Sequence, residues 1–164
     1  MQHEHHEHRS NRTNEYIKLF IILGIVILLG YLTRDFTSLA DSLMAWFFLI
    51  FGSFKLLGYK MFTATFPDYD LISKFFPPYA KFYPFLEIIF GFFFLGQLAL
   101  PSSLLIALVI ITQASTLFGI LRLKSKMRQY ECACLGSVVK LPLSTISLLE
   151  NISMIILAIL SLTL

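Results

Sequence analysis

The chain has 164 residues, of which 57% are hydrophobic, 15% aromatic and only 14% charged, and its mean hydropathy is +0.75. About a quarter of the residues are charged in a typical soluble domain, so this composition excludes an ordinary soluble enzyme or binding module. The net charge of +3 is modest, and the basic residues flank apolar segments instead of forming a patch that would bind nucleic acid. We therefore expect one integral membrane domain in contact with a lipid bilayer.

The first 16 residues are polar and contain all four histidines of the chain: His3, His5, His6 and His8. Neutral imidazole binds Cu, Zn or Ni ions, so the histidines are candidate accessory metal ligands, although a tail without a fixed scaffold would bind weakly. The alternatives are a solvated tail or part of an expression tag. No small-residue cleavage site follows the first apolar segment, which indicates a retained helix and not a signal peptide. We predict a cytoplasmic tail over 1–16 and a single transmembrane domain over 17–164.

Five apolar segments follow the tail, and each has about 17–21 residues, enough for a helix to cross roughly 30 Å of hydrocarbon. Only helices and closed barrels leave no backbone group unpaired in lipid, and these runs are too long for barrel strands. The predicted fold is an all-α membrane bundle of about five transmembrane helices. The predicted spans are 17–33, 41–61, 82–100, 103–122 and 145–164. The loop at 62–81 is rich in proline and aromatic residues, so we expect it to be ordered and interfacial.

Lysine and arginine are distributed very unequally between the two sides of this topology. With the N-terminus in the cytoplasm, Lys55 lies within the second span and Arg34 alone lies in an outer loop, while the other basic residues are cytoplasmic. Because cytoplasmic loops are enriched in lysine and arginine, we expect the N-terminus inside and the C-terminus outside a bacterial inner membrane. The cytoplasmic set is Arg9, Arg12, Lys18, Lys60, Lys74, Lys81, Arg122, Lys124, Lys126, Arg128 and Lys140.

The only two cysteines, Cys132 and Cys134, lie one residue apart in the predicted loop 123–144, before the last span. The basic run 122–128 favours the thiolate, which is the form that binds metals and exchanges disulfides. A permanent disulfide is not expected on the reducing cytoplasmic side, where the strained ring of a Cys-x-Cys disulfide would be reduced easily. The pair is a candidate redox dithiol, or a ligand pair for a soft ion such as Cu(I) or Hg(II). The plain alternative is two incidental small residues.

Three ionisable residues, Lys55, Glu87 and Glu150, fall inside predicted spans. Such residues are costly in lipid and usually face a bundle interior. Counted at about 1.5 Å per residue, all three lie roughly 8–9 Å below the inner membrane surface, although their helices run in different directions. We predict that Lys55 pairs with Glu87, Glu150 or both beneath the dithiol loop. The cluster would be a cation or proton site coupled to the cysteines, or alternatively a structural ion pair; a third alternative is a lysine that extends to the interface.

Smaller residues on the same faces indicate how these helices meet. Gly52 and Tyr59 share the face of Lys55, and Gly91 shares that of Glu87, so the glycines would let the two helices approach closely. The fourth span contains four polar residues, for which we expect hydrogen bonds between helices, with a polar path as the alternative. These residues are Thr112, Gln113, Ser115 and Thr116.

Short motifs in the second, third and last spans add to this interpretation. They are Phe51-Gly52-Ser53-Phe54-Lys55, Phe85-Leu86-Glu87 with Gly91, Cys132-Ala133-Cys134-Leu135-Gly136, Leu141-Pro142-Leu143-Ser144, and Glu150-Asn151 with Met154. Together they resemble the MauE/DoxX family of redox-associated membrane proteins over roughly 40–160, although the histidine-rich tail is not part of the pattern. The resemblance implies a small helical bundle with a four-helix core plus one. It implies maturation or tolerance more than a defined reaction, since MauE is implicated in maturing the disulfide-rich subunit of methylamine dehydrogenase and its relatives are linked to thiol redox or heavy-metal handling.

Three functions therefore stay open. The first is a membrane accessory protein for thiol redox or maturation of a partner protein, acting through Cys132 and Cys134. The second is a heavy-metal binding, transport or tolerance protein that uses the same thiols, with a soft metal ion as ligand. The third is a structural assembly factor with incidental cysteines. A complete electron relay would need a second dithiol, a quinone site or a haem site, and the chain has no other cysteine, which indicates a protein partner more than an independent enzyme.

Overall fold

The computed structural model describes residues 3–96, 102–127 and 143–163, and the side chains of 16–96, 103–122 and 147–161. Within these ranges the chain forms helices and no strand, which confirms the predicted all-α class. The helices are α1 (His3–Thr33), α2 (Leu39–Leu57), α3 (Tyr59–Tyr69), α4 (Leu71–Phe75), α5 (Pro78–Phe94), α6 (Ser102–Met127) and α7 (Leu143–Thr163).

Three helices contain stretches long and apolar enough to cross a membrane, at Tyr16–Thr33, Leu39–Leu57 and Ser103–Arg122, and a shorter apolar stretch lies at Ser147–Ser161. Large apolar side chains point outward from them; the side chain of Phe20 on α1, for example, is 68% exposed. A continuous apolar surface of this kind is unfavourable in water and favourable in lipid. The protein is therefore an integral membrane protein, and the count of five spans stays a prediction.

Several helix boundaries differ from those predicted. The first helix begins at His3, well before residue 17, so the polar segment forms the N-terminal part of α1. The second ends at Leu57 instead of 61, because Gly58 takes a non-helical conformation (φ −93°, ψ 23°). The third ends at Phe94 instead of 100, because Gly96 adopts a left-handed conformation (φ +71°) that terminates a helix.

The predicted loop 62–81 is almost entirely helical in the structure. It contains most of α3, all of α4 and the beginning of α5, and Pro78 stands in the first turn of α5, where its missing N–H costs nothing. Asp70 ends α3 and begins α4, where its carboxylate accepts a hydrogen bond from the Ser73 backbone N–H (2.6 Å). The sequence pattern missed these helices because they are short and their apolar residues are interrupted by Pro67 and two aspartates.

Helix α2 lies at the centre of the bundle and packs against α1, α5 and α7. Its contact with α5 is close because glycines stand on both sides. A Cβ atom at Gly52 would lie 3.2 Å from the Glu87 Cβ, and one at Gly91 would lie 2.6 Å from the Leu49 Cγ. This confirms the predicted close approach of the two helices and brings Glu87 next to the face of Lys55.

The junction of α3 and α4 packs against the middle of α6, inside the bundle. A Cβ atom at Gly119 of α6 would overlap the backbone carbonyl of Tyr69. Ser115, one turn away on the same helix, accepts a hydrogen bond from the Ile72 backbone N–H (3.1 Å). The short helices therefore enter the bundle instead of resting on its surface.

We expect Gly119→Ala to lower the stability of the bundle by about 1–3 kcal/mol, because α6 or the α3–α4 junction must move to admit the methyl group. Thermal unfolding of the purified protein in detergent measures the loss. Gly24→Ala is the matched control: a Cβ atom at Gly24 has nothing within 4 Å, and alanine is favoured over glycine within a helix, so the midpoint should not fall. Equal midpoints for the two variants would contradict the packing of this junction on α6.

Candidate functional site

The Lys55 ammonium group lies between two carboxylates contributed by different helices. Its Nζ donates to the Oε1 of Glu87 on α5 and to the Oε1 of Glu150 on α7 (2.7 Å). The exposed fractions of the three residues are only 2%, 1% and 5%. The structure thus joins α2, α5 and α7 through one buried ion cluster, in which each charge has an opposite charge in contact.

Aromatic rings enclose the other side of the ammonium group. Lys55 Nζ lies 5.1 Å from the centroid of the Tyr83 ring and 5.9 Å from that of Phe62. Phe66 stacks on Phe62 and lies tilted against Tyr83, and its ring centroid is 4.6 Å from that of each. Ring faces attract cations at these distances, so α3 and α5 together cover the ion cluster with an apolar but electrostatically favourable surface.

A small cavity of about 10 Å³ adjoins the ion cluster between α3, α6 and α7. Its lining includes the polar residues Lys55, Glu150, Asn151, Ser147 and Thr116. The amide of Asn151 donates to the Ser147 carbonyl (2.5 Å), which leaves its Oδ1 as an acceptor. The cavity has room for about one water molecule.

A second buried carboxylate, Asp70, lies on the far side of Thr116. It accepts hydrogen bonds from the hydroxyls of Ser115 and Thr116, both at 2.9 Å, and from the Ser73 backbone N–H. Its exposed fraction is 1%. These contacts confirm the predicted hydrogen bonding of Ser115 and Thr116 between elements, and they fix the α3–α4 junction on α6.

The remaining predicted site residues lie apart from this cluster or outside the described residues. Cys132 and Cys134 fall in 128–142, which is outside them. The backbone of His3, His5, His6 and His8 belongs to α1, but their side chains are outside the described set. Tyr59 was predicted on the face of Lys55; instead it follows the break at Gly58, and its hydroxyl donates to the Lys81 carbonyl (3.2 Å).

No group of three or more histidine, cysteine, aspartate or glutamate side chains that could hold a metal ion occurs among the side chains that the structure describes. The proposed thiol and imidazole ligands lie outside that set. The metal prediction therefore rests on the sequence alone.

Four residues of the site were missed by the sequence reasoning: Asp70, Tyr83, Phe62 and Asn151. A signal existed for Tyr83, which stands four residues before Glu87 and hence on the same helical face. Asn151 directly follows Glu150. The positions of Asp70 and Phe62 depend on α3 and α4, which had been predicted as loop.

We expect Asp70→Ala to lower stability by about 1–3 kcal/mol, because the buried Ser73 backbone N–H and the Ser115 hydroxyl lose their acceptor. Asp68→Ala is the matched control, since Asp68 is exposed. Thermal unfolding in detergent compares the two variants. Equal losses would show that Asp70 does not anchor the junction.

We expect Lys55→Met to cost about 3–5 kcal/mol, because two buried carboxylates then face each other without a cation. Adding Glu87→Gln and Glu150→Gln to the same chain should recover most of the loss, since the triple variant buries no charge at this point. Unfolding midpoints in detergent measure both effects. A Lys55→Met variant as stable as the unaltered protein would contradict a cluster held by charge.

The family described as methylamine utilisation protein MauE matches residues 33–164, a range that contains Lys55, Glu87, Glu150 and both cysteines. No curated protein and no solved structure matches the chain. Since the match covers most of the sequence, the chain belongs to the MauE family of membrane proteins.

Proposed function

We propose that the protein is a membrane accessory factor for thiol redox chemistry, or for the maturation of a partner protein, and that it acts through Cys132 and Cys134. The observation that supports this most directly is the family match, which spans both cysteines and ties the chain to methylamine utilisation. Exchange with a partner fits the sequence, because the chain has only these two thiols and no second pair to pass electrons to.

The order of the helices supports an association between the dithiol and the ion cluster. Helix α6 ends at Met127 and α7 begins at Leu143, and the cysteines belong to the segment that connects these two ends. Glu150 stands seven residues into α7, roughly 10 Å along the helix from Leu143. The same α6–α7 pair is packed together in the bundle. Glu150 therefore belongs to the half of α7 that directly follows the cysteine-containing segment in the sequence.

The proposed exchange involves the two thiols of this protein and one disulfide of the partner. A thiolate of the pair attacks a disulfide of the partner and forms a mixed disulfide, and the partner's other sulfur leaves as a thiolate. The second cysteine then attacks the mixed disulfide, which gives a Cys132–Cys134 disulfide and a reduced partner. Run in reverse, the steps oxidise the partner. Because a Cys-x-Cys ring is strained, its disulfide form passes readily to a partner.

We further propose the orientation that the basic residues predict, with the N-terminus and the dithiol segment in the cytoplasm and the C-terminus outside. This side is reducing, which would keep the pair as thiols between reactions. The basic run before the cysteines would favour the thiolate.

We expect removal of one cysteine to trap the partner. Without the second thiol, the mixed disulfide cannot be resolved, so Cys132→Ser or Cys134→Ser should give a covalent adduct in cells. Non-reducing electrophoresis followed by mass spectrometry detects it, and the variant lacking both cysteines is the control.

Two results would contradict the redox proposal. One is the absence of an adduct from both single variants while the protein is folded and abundant. The other is stoichiometric binding of Cu(I) by the purified protein that both single variants lose, which would favour metal handling by the same thiols.

A further inference from the structure

The buried ion cluster contains unequal numbers of opposite charges. Within the described part of the chain, one ammonium group, that of Lys55, contacts two carboxylates, those of Glu87 and Glu150. With both carboxylates ionised, the cluster has a net charge of −1 in a site that is at least nineteen-twentieths buried. An uncompensated charge is costly in such a site, and more so inside a membrane.

The hydrogen bonding of the cluster is also incomplete. The Oε2 atoms of Glu87 and Glu150 are buried, and neither has a hydrogen-bond partner among the described residues. Asn151 Oδ1, which belongs to a residue lining the cavity beside Glu150, is in the same state. All three atoms are acceptors. The site therefore contains three buried acceptor atoms without a donor in the described part of the chain, and each unmade hydrogen bond costs stability.

We propose that the cluster of Lys55, Glu87 and Glu150 is a binding site for one proton, which the two carboxylates share. A single proton makes the cluster neutral and turns one unpartnered oxygen into an O–H donor. The cavity beside Glu150 provides the acceptors for it, namely Asn151 Oδ1 and one water molecule. One added proton thus removes the excess charge and supplies a donor at one of these unpartnered oxygens.

A metal cation fits the site less well than a proton. The ammonium group of Lys55 already occupies the position between the two carboxylates, and the adjoining cavity, about 10 Å³, has room for about one water molecule. A metal ion would need several oxygen ligands around it and would be repelled by the ammonium group.

The charged and titratable side chains around the two carboxylates are consistent with one bound proton. Among the described residues, the titratable groups near the carboxylates are Lys55 on α2, Tyr79 and Tyr83 on α5 and Tyr69 on α3. Asp70 is separated from them by Thr116. On the side towards α1 an apolar cleft of about 70 Å³ reaches Glu150 and is lined mainly by leucine and phenylalanine side chains, so Glu150 is the one charged residue among the described residues that line it.

The shared proton has a consequence that separates it from ordinary protonation of one buried acid. If either glutamate becomes glutamine, the cluster retains one ammonium and one carboxylate and is already neutral. The remaining glutamate should then ionise, so either substitution should abolish the protonated acid. If burial alone kept one of the two glutamates protonated, the protonated acid would be lost only when that particular residue is replaced.

Infrared spectroscopy of the purified protein in lipid nanodiscs tests this proposal. Labelling glutamate with ¹³C identifies the carbonyl band of a protonated glutamic acid at neutral pH. We expect this band in the unaltered protein and its loss in both Glu87→Gln and Glu150→Gln. Glu15→Gln, which alters a glutamate elsewhere in the sequence, should retain the band. Asn151→Leu keeps all charges and should shift the band to higher frequency, because the acid loses an acceptor.

Three results would overturn the proposal. The first is the absence of the band from the unaltered protein. This includes the outcome that a bound sodium ion, and not a proton, neutralises the cluster. The second is a band that persists in one of the two glutamine variants. The third is a band unchanged by Asn151→Leu. The unaltered protein and Asn151→Leu keep the test decisive if a glutamine variant does not fold, and none of these measurements depends on the dithiol or its partner.

Discussion

A lysine side chain can lie inside a membrane bundle only if anionic groups replace the water that it loses. In this protein Glu87 and Glu150 satisfy that requirement for Lys55, and they come from two different helices. The lysine therefore determines which helices must meet and at what level they do so. Since α2 also packs against α1, most of the bundle is arranged around the helix that contains the buried cation.

The second constraint is the entry of α3 and α4 into the bundle. These helices place Phe62 over the ion cluster, with Phe66 stacked on it, and hold Asp70 against α6. Gly119 makes this possible, because any side chain there would meet the Tyr69 carbonyl. Two buried acidic centres consequently lie on either side of Thr116, one paired with a lysine and the other with neutral donors. The α3–α4 junction therefore adds a second buried acidic centre to the cluster that the membrane spans form by themselves.

The sequence predicted the parts of this arrangement that depend on hydropathy and on helical spacing. Lys55, Glu87 and Glu150 were brought to one depth by counting along continuous helices, and the structure places their side chains in contact. Asp70 and Phe62 could not be located in this way, because their positions follow from two short helices whose turn geometry and packing are tertiary. The ends of α2 and α5 were misjudged for a related reason: Gly58 and Gly96 interrupt helices inside apolar runs, which hydropathy cannot detect.

A charge exchange tests the central claim, that electrostatic pairing of Lys55 holds the helices together, most directly. Lys55→Glu alone and Glu87→Lys alone each create a buried excess of charge and should strongly lower the unfolding midpoint. The chain with both substitutions again has one cation in contact with two carboxylates, and its midpoint should recover a large part of the loss. A double variant no more stable than the less stable single variant would contradict the claim.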